Sequence, residues 1–411
     1  DVLVDLDAHL VGAGFHVDAA NRTLAALSVA NNSTLGAMAA PGTTTTVTGT
    51  FNRGTGSFTV TPILGGAVTN GVYDLVTAGS ITGSGNPVVD FNGFYGTSRA
   101  AGSVAINGNK LQLTLTTPVA GLVWNNASLG GAATGTWDLN ASANFNNGGS
   151  NDVFKAFDAV TLDDSLLPGT AKTINLAGTL APSVLTANNS NGNYTLNSSV
   201  ANGGVLAGGG TLVKSGTAEL ILGGNMSYAM TGGITANGGT LNLGAKTLPP
   251  QNRITLAGGT VSNGTLPVKT TVDLQQGTIS AVLTGAAPVT KSTAGTAILS
   301  ANNTMVGAVT VNEGVLQVGA GGTSGSLGNS TVTVNAGGTV NYKRSDNPVG
   351  AIANAFSGTG TLIFEGTGTN LQGGYGTISG NNSGFSGTIR TINSRIAVDN
   401  VNDNGTSGLI T

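Results

Sequence analysis

One segment of this chain occurs twice. Residues 208–244 read GGGTLVKSGTAELILGGNMSYAMTGGITANGGTLNLG, and residues 288–319 read PVTKSTAGTAILSANNTMVGAVTVNEGVLQVG. Lys214-Ser215 aligns with Lys291-Ser292, Ile221-Leu222 with Ile298-Leu299, and Asn225 with Asn302. After a two-residue deletion, Ile234-Thr235 aligns with Val309-Thr310, and Asn237, Gly239, Leu241 and Leu243 align with Asn312, Gly314, Leu316 and Val318. A more diverged copy spans residues 358–399. Between the copies lie RITLAGGTV at 253–261 and STVTVNAGGTV at 330–340.

Each copy holds short runs of strict alternation, such as 211–213, 219–222 and 240–243, separated by Gly, Asn and Ser. Alternation over a few residues predicts a strand with one buried face. A unit this small cannot bury that face alone, but stacked units form a continuous core between them. Gly and Asn at the corners tolerate the left-handed backbone that such turns require. The pattern therefore predicts an all-β fold, a β-solenoid. Leu212, Leu220, Leu222, Leu241 and Leu243 are its expected core, and Asn225 and Asn302 are expected to form an amide ladder between coils. At ~20–29 residues per coil the chain supplies on the order of 15 coils. At ~4.8 Å per coil that makes a rod near ~70 Å. The offset between the copies also permits a series of β-sandwich modules. The brevity of the strands, the Gly-rich corners and the related units between copies favour the solenoid.

Composition agrees. Gly accounts for 67 of 411 residues, and only 8% are charged. Disorder would require low hydrophobicity and high net charge, whereas this chain is 39% hydrophobic with a net charge of −3. Gly shows no three-residue period, so collagen is excluded. The best helix candidate is the short run VGAIANAF at 349–356. The absence of Cys excludes disulfides and thiolate metal sites. Without Lys/Arg clusters the sequence does not suit nucleic acid or anionic membranes. No apolar run reaches the ~18 residues of a membrane span. No signal peptide is evident, and a chain opening at Asp1 reads as a processed or trimmed product.

Three regions follow. Residues 1–117 form a less regular β-rich N-terminal region, with strands expected at 1–7, 23–29, 44–50, 57–62, 71–76 and 103–116. The last is a hairpin turning at Asn107-Gly108-Asn109. Residues 118–200 hold both tryptophans, Trp124 and Trp137, with Phe145, Phe154 and Phe157. Strands are expected there at 122–124, 136–139, 159–162, 173–176, 183–187 and 193–196. The aromatics read either as a plug that starts or caps the solenoid core, or as exposed rings on which a glycan stacks. The position of both tryptophans within alternating segments favours the plug. Residues 201–411 are the repeat-bearing solenoid.

The pattern GGGTLVKSGTAELILGGN followed by TGGITANGGTLNLG resembles the passenger-associated transport repeat of bacterial autotransporter passengers. The preceding GLVWNN…GTWDLNASANF…FDAVTLDDS resembles the segment that often precedes such repeats. Together they cover roughly residues 120–400. The resemblance implies an exported right-handed parallel β-helix, and it implies no particular activity, since adhesins, proteases and plain rods share the scaffold. Two departures stand out. The second copy has Thr293-Ala294-Gly295-Thr296-Ala297 where the family has G-x-G-x-L, which blurs its register. The sequence to Thr411 also lacks the amphipathic strand series of a membrane barrel, as expected if that part is removed or if export uses another route.

Candidate chemistry is sparse. His9 and His16 are the only histidines. A Ser–His–Asp site can be imagined with His16 and Asp18, but no G-x-S-x-G elbow accompanies it, the spacing of the two histidines is no standard metal pattern, and ordinary strand or loop histidines explain both. Acids gather at Asp152, Asp158, Asp163 and Asp164, and again at Asp399 and Asp403. Neither group fits a calcium loop, and solvated turn acids explain both. Lys343-Arg344 with Asp346 reads as a charged loop insertion. The stretch GAGGTSGSLG lacks the Lys-Ser/Thr and helix of a phosphate loop. Asn-x-Ser/Thr triplets arise by chance in a chain this rich in Asn, Ser and Thr. No catalytic, cofactor or metal residues are assigned.

The sequence therefore predicts a non-enzymatic extracellular structural protein, a subunit of a bacterial surface fibre whose partners are copies of itself. Asp1, Val2, Leu3, Val4, Asp5, Leu6 and Asp7 alternate cleanly and are the candidate donor strand for the neighbouring subunit. The alternative is a monomeric adhesin passenger binding cell-surface or extracellular glycans, with Trp124 and Trp137 as contacts. A third reading, a β-helix enzyme acting on polysaccharide, needs an exposed carboxylate groove around Asp163 and Asp164.

Overall fold

The structure is a computed structural model describing residues 9–11, 14–17, 23–66, 68–117, 119–167, 169, 171–201, 203–346, 351–367, 376–398 and 409–410. The candidate donor strand, Asp1–Asp7, lies outside the described residues. The chain is nearly all β and forms a β-solenoid of about 15 turns. It divides into two compact units, residues 1–213 with 222–233, and residues 214–221 with 234–411.

In the second unit each strand pairs in parallel with its counterpart one coil later. Leu220 lies beside Leu241, and Leu241 beside Val261. Val289, Val309, Val332 and Phe356 form another such column. All of these side chains are buried. Alternation sends every second residue inward, and parallel register stacks inward residues on one another, so a short apolar strand becomes one tier of a continuous core. The five leucines expected in the core, Leu212, Leu220, Leu222, Leu241 and Leu243, are all 0% exposed. The second copy keeps its register despite its altered sequence. Ala297 and Leu299, on strand Thr296–Leu299, are buried and pair with Leu316 and Val318. Ala297 simply fills the place of Leu220 with less bulk.

The matched glycines have a shared cause. Gly239 and Gly314 adopt φ of +56° and +68°. A Cβ at either would lie 2.3–2.4 Å from a carbonyl oxygen of the previous coil, that of Ala218 or Thr293. The asparagines act differently from expectation. Amide-to-amide contacts between coils join Asn312 to Asn335 at 2.7 Å and Asn242 to Asn263 at 3.0 Å. Asn225 instead donates its backbone N–H to Asn197 Oδ1 at 3.2 Å and its amide to the Ser198 carbonyl at 3.4 Å, and Asn302 accepts from the Gly325 N–H at 2.9 Å. Its neighbour Asn303 is buried and bridges coils through the Leu283 N–H and the Ser326 carbonyl.

The described part of the run 349–356 is not a helix. Residues 349–350 lie outside the described residues, while Ala351–Ile352 and Phe356–Gly358 are strands that pair with Thr377–Ile378 and Val332–Val334. A short apolar run does not distinguish helix from strand by periodicity, and here adjacent coils supply the backbone partners.

In the first unit the N-terminal region is more regular than its sequence suggests. Leu35 pairs with Val60 and Val60 with Val89, all in parallel, and Val47 pairs with Ala78 in a second sheet. The expected strand at 23–29 is split into Thr23–Leu24 and Leu27–Ser28. The hairpin is present as Ala101–Asn107 and Lys110–Thr117, running antiparallel to Gly71–Thr82. At its turn Gly108 takes φ +58°.

These N-terminal coils pack on residues 156–210. Gly66 N–H donates to the Ser183 carbonyl at 2.9 Å, and Tyr95 meets Phe157 edge to face at 5.9 Å. Ala156, Phe157 and Ala181 share one core with Leu35, Phe51 and Ile63. The contact is close enough that a Cβ on Gly65 would lie 2.5 Å from the Gly209 carbonyl oxygen.

Two outcomes follow from this packing. Leu241→Ala empties a fully enclosed site between Leu220 and Val261 and should cost about 2–5 kcal/mol. Because stacked coils need not unfold together, the check is amide hydrogen exchange, which should rise first in the strands flanking residue 241. Gly65→Ala should loosen the N-terminal coils from the Gly209 backbone. Limited proteolysis should then cut within residues 58–66 faster than in wild type; equal rates would mean that the contact adds nothing.

Candidate functional site

His9 and His16 lie on strands His9–Val11 and Gly14–Val17 and are register partners across that antiparallel pair. Asp18 lies outside the described residues. Among the described residues no group of three His, Cys, Asp or Glu side chains is placed to hold a metal ion.

The tryptophans are core residues. Trp124 ends strand Gly121–Trp124 and Trp137 ends Thr134–Trp137, each on the inward parity of its strand. They are 1% and 0% exposed. Phe145 contacts Trp124 at 5.2 Å and Trp137 at 5.6 Å, and Phe154 contacts Trp137 at 5.1 Å, all edge to face. This is the plug, and it corrects the stacking alternative, because neither Trp124 nor Trp137 presents a ring face outside the core.

The acids are committed to packing and turns. Asp158 is buried and accepts from Arg99 Nε at 3.0 and 3.1 Å, from the Lys155 N–H at 2.8 Å and from the Ala120 N–H at 2.9 Å. Arg99 also pairs with Asp152 at 3.0 Å. Burial pushes the Asp158 carboxyl above its ordinary range, against the pull of the backbone donors and Arg99. At Asp152 burial also pushes upward, but hydrogen bonds from Asn147, the Val153 N–H and Arg99 outweigh it and hold the group below its usual range. Asp163 accepts from Ser165 Oγ at 2.6 Å. Asp164 accepts from the Ser190 and Asn191 N–H groups at 2.6 and 3.0 Å. Lys172, buried, lies 3.7 Å from Asp164 and 4.9 Å above the Tyr194 ring. Asp163 and Asp164 thus cap turns. Asp399 and Asp403 lie outside the described residues.

Lys343 and Arg344 finish strand Val332–Arg344 and are not a loop insertion. Arg344 is nearly buried and donates to the Thr323 and Gly325 carbonyls and to both oxygens of Asp346. It clamps the GAGGTSGSLG loop from inside through carbonyls, the opposite polarity from a phosphate cradle. Lys343 pairs with Glu365 at 2.8 Å.

Sequence reasoning passed over one pair. Lys214 and Lys291 occupy the same place in the two copies, and both are 0% exposed. The signal was parity: in Thr211–Ser215 and Val289–Lys291 the lysine falls on the inward side with Leu212 or Val289. Lys214 Nζ donates to the Ser215 and Gly216 carbonyls, and Lys291 Nζ to those of Thr293 and Glu313. Each ammonium satisfies carbonyls exposed where the coil turns. Burial lowers the Lys291 pKa, opposed by the charges of Glu313 and Asp273.

That shift fixes a pH dependence. The unfolded chain holds the Lys291 proton more tightly than the fold does, so a penalty for burying the charge is present below the folded pKa. It disappears as pH rises through the window that ends at the ordinary value of 10.5. Wild type should therefore gain stability relative to Lys291→Met as pH rises through that window, measured by chemical denaturation. Lys291→Ala should be the less stable variant at neutral pH, because it leaves both a cavity and unpaired carbonyls.

The model of the passenger-associated-transport-repeat family matches residues 212–243 and 289–318, the two coils that carry the inward lysines. No curated protein and no solved structure matches the chain. The repeat family implies an exported, cell-surface or secreted protein. The two matched repeats and the β-solenoid that contains them fit an autotransporter passenger-type β-helix protein.

Proposed function

We propose that this chain is a non-enzymatic, extracellular structural protein that stacks head to tail with copies of itself at a bacterial surface. One observation carries the reading. Trp124, Trp137 and Asp158 are tied into the core and Asp163 and Asp164 into turns, while a parallel backbone ladder runs through both matched repeats. A parallel ladder has no internal stop, since its last strand offers the same unpaired N–H and C=O groups as every strand before it. A copy joined there makes a heterologous contact, which grows without closing. The candidate donor is Asp1–Asp7, whose Val2, Val4 and Leu6 alternate with Leu3, Asp5 and Asp7.

A singly displayed passenger that binds glycans or surfaces is the second reading, favoured by the repeat match. Electron microscopy with sedimentation velocity separates the two. Fibres that lengthen with protein concentration support assembly, and single particles at every concentration support the lone passenger. Deleting residues 1–7 should abolish fibres. Full-length fibres from that variant would remove the donor-strand assignment while leaving assembly intact.

A further inference from the structure

The N-terminal coils carry an open groove of about 580 Å³. Its cause is a mismatch in strand length. Pairing between Thr45–Asn52 and Gly71–Thr82 begins only at Thr45 beside Val76. Residues 72–74 run on past that point, and the turn at 40–44 stands off from them, with Gly42 at φ +72° and open space beside it.

The floor is a short chain of oriented polar groups. Asn107 Nδ2 donates to Gln112 Oε1 at 3.0 Å, Gln112 Nε2 donates to Asp74 Oδ1 at 2.7 Å, and Lys110 Nζ donates to Asp74 Oδ2 at 2.6 Å. The register of the hairpin brings these together, with Gln112 opposite Asp74. The set is satisfied but not saturated. The ammonium has two further donors, the amide has one more N–H, and each carboxylate oxygen keeps a lone pair. The groups are also reachable, since the Asp74 and Lys110 side chains are 31% and 38% exposed. Hydrogen bonds from Lys110 and Gln112 hold the Asp74 carboxyl below its usual range, so it remains an ionised acceptor at neutral pH. Pro41 and Val72, the latter 60% exposed, form an apolar lip, and the half-buried Tyr73 is fixed by its hydroxyl to Thr69.

We propose that this groove binds a neutral saccharide. The charges decide against an anion, because the one cation is already matched by Asp74. They also decide against a divalent metal, which one carboxylate does not hold. An apolar ligand would bury the polar floor without replacing its partners. A pyranose fits both surfaces. Its vicinal hydroxyls donate to the carboxylate while accepting from the amide and ammonium, and its C–H face lies against Val72 and Pro41. The volume suits one or two sugar rings. The site is independent of self-assembly and of the buried tryptophans.

The test is saturation-transfer-difference NMR on the full chain with methyl glucoside, methyl galactoside, methyl mannoside and N-acetylglucosamine. Transfer to at least one sugar is expected. It should fall to background in Gln112→Ala, which removes a donor, and in Val72→Arg, which fills the groove from an exposed position that the core does not use. Thermal unfolding of each variant reports on the fold, and Val72→Arg decides alone if Gln112→Ala unfolds. No transfer from any of the four sugars overturns the proposal, as does transfer that persists undiminished in folded Val72→Arg.

Discussion

Apart from local antiparallel pairs such as the hairpin at 101–117, the described strands of this solenoid take their backbone partners from the coils before and after them. That dependence governs the rest of the structure. A strand of three to five residues has no stability of its own, so its hydrogen bonds and its core both have to come from neighbours. The positive-φ glycines follow from the same demand. The coil must turn sharply enough to bring the next strand into register, and at Gly239 and Gly314 the previous coil's carbonyls come too close for a side chain.

Polar groups are placed by the same logic. A corner exposes carbonyls that the ladder does not reach, and the fold meets them from within. Lys214, Lys291 and Arg344 carry cations inward to corner carbonyls, and Asn303 does so with a neutral amide. Asp158 and Arg99 perform a related task where the N-terminal coils meet the aromatic plug. These groups resemble catalytic side chains in composition but not in placement, since each has its partners already in hand.

The solenoid was legible in the sequence because its signal is local. Leu212, Leu220 and Leu241 could be assigned to the core from alternation alone, and Gly239 to a corner from its copy at Gly314. The inward lysines were legible by the same parity, although charge argued for the surface. The regularity of the N-terminal coils was not legible, because coil length there varies and no segment repeats. Trp124 and Trp137 were correctly placed in strands, but only the aromatic contacts around Phe145 show which face is covered. The groove at Asp74 was beyond sequence reasoning, since it arises from one strand running past the start of another.

The packing of Gly65 and Gly66 on Gly209 and Ser183 also has a kinetic meaning. Contacts within the coils join residues close in sequence, so coils can zip up one after another as the chain becomes available. The core of the N-terminal coils, by contrast, also takes in Ala156, Phe157 and Ala181, which lie far along the chain. Such distant contacts form late, because a long loop must be closed first. A folding chain would thus hold an array of coils with one open apolar flank until residues 156–181 arrived, and that interval is when its core is most exposed to solvent.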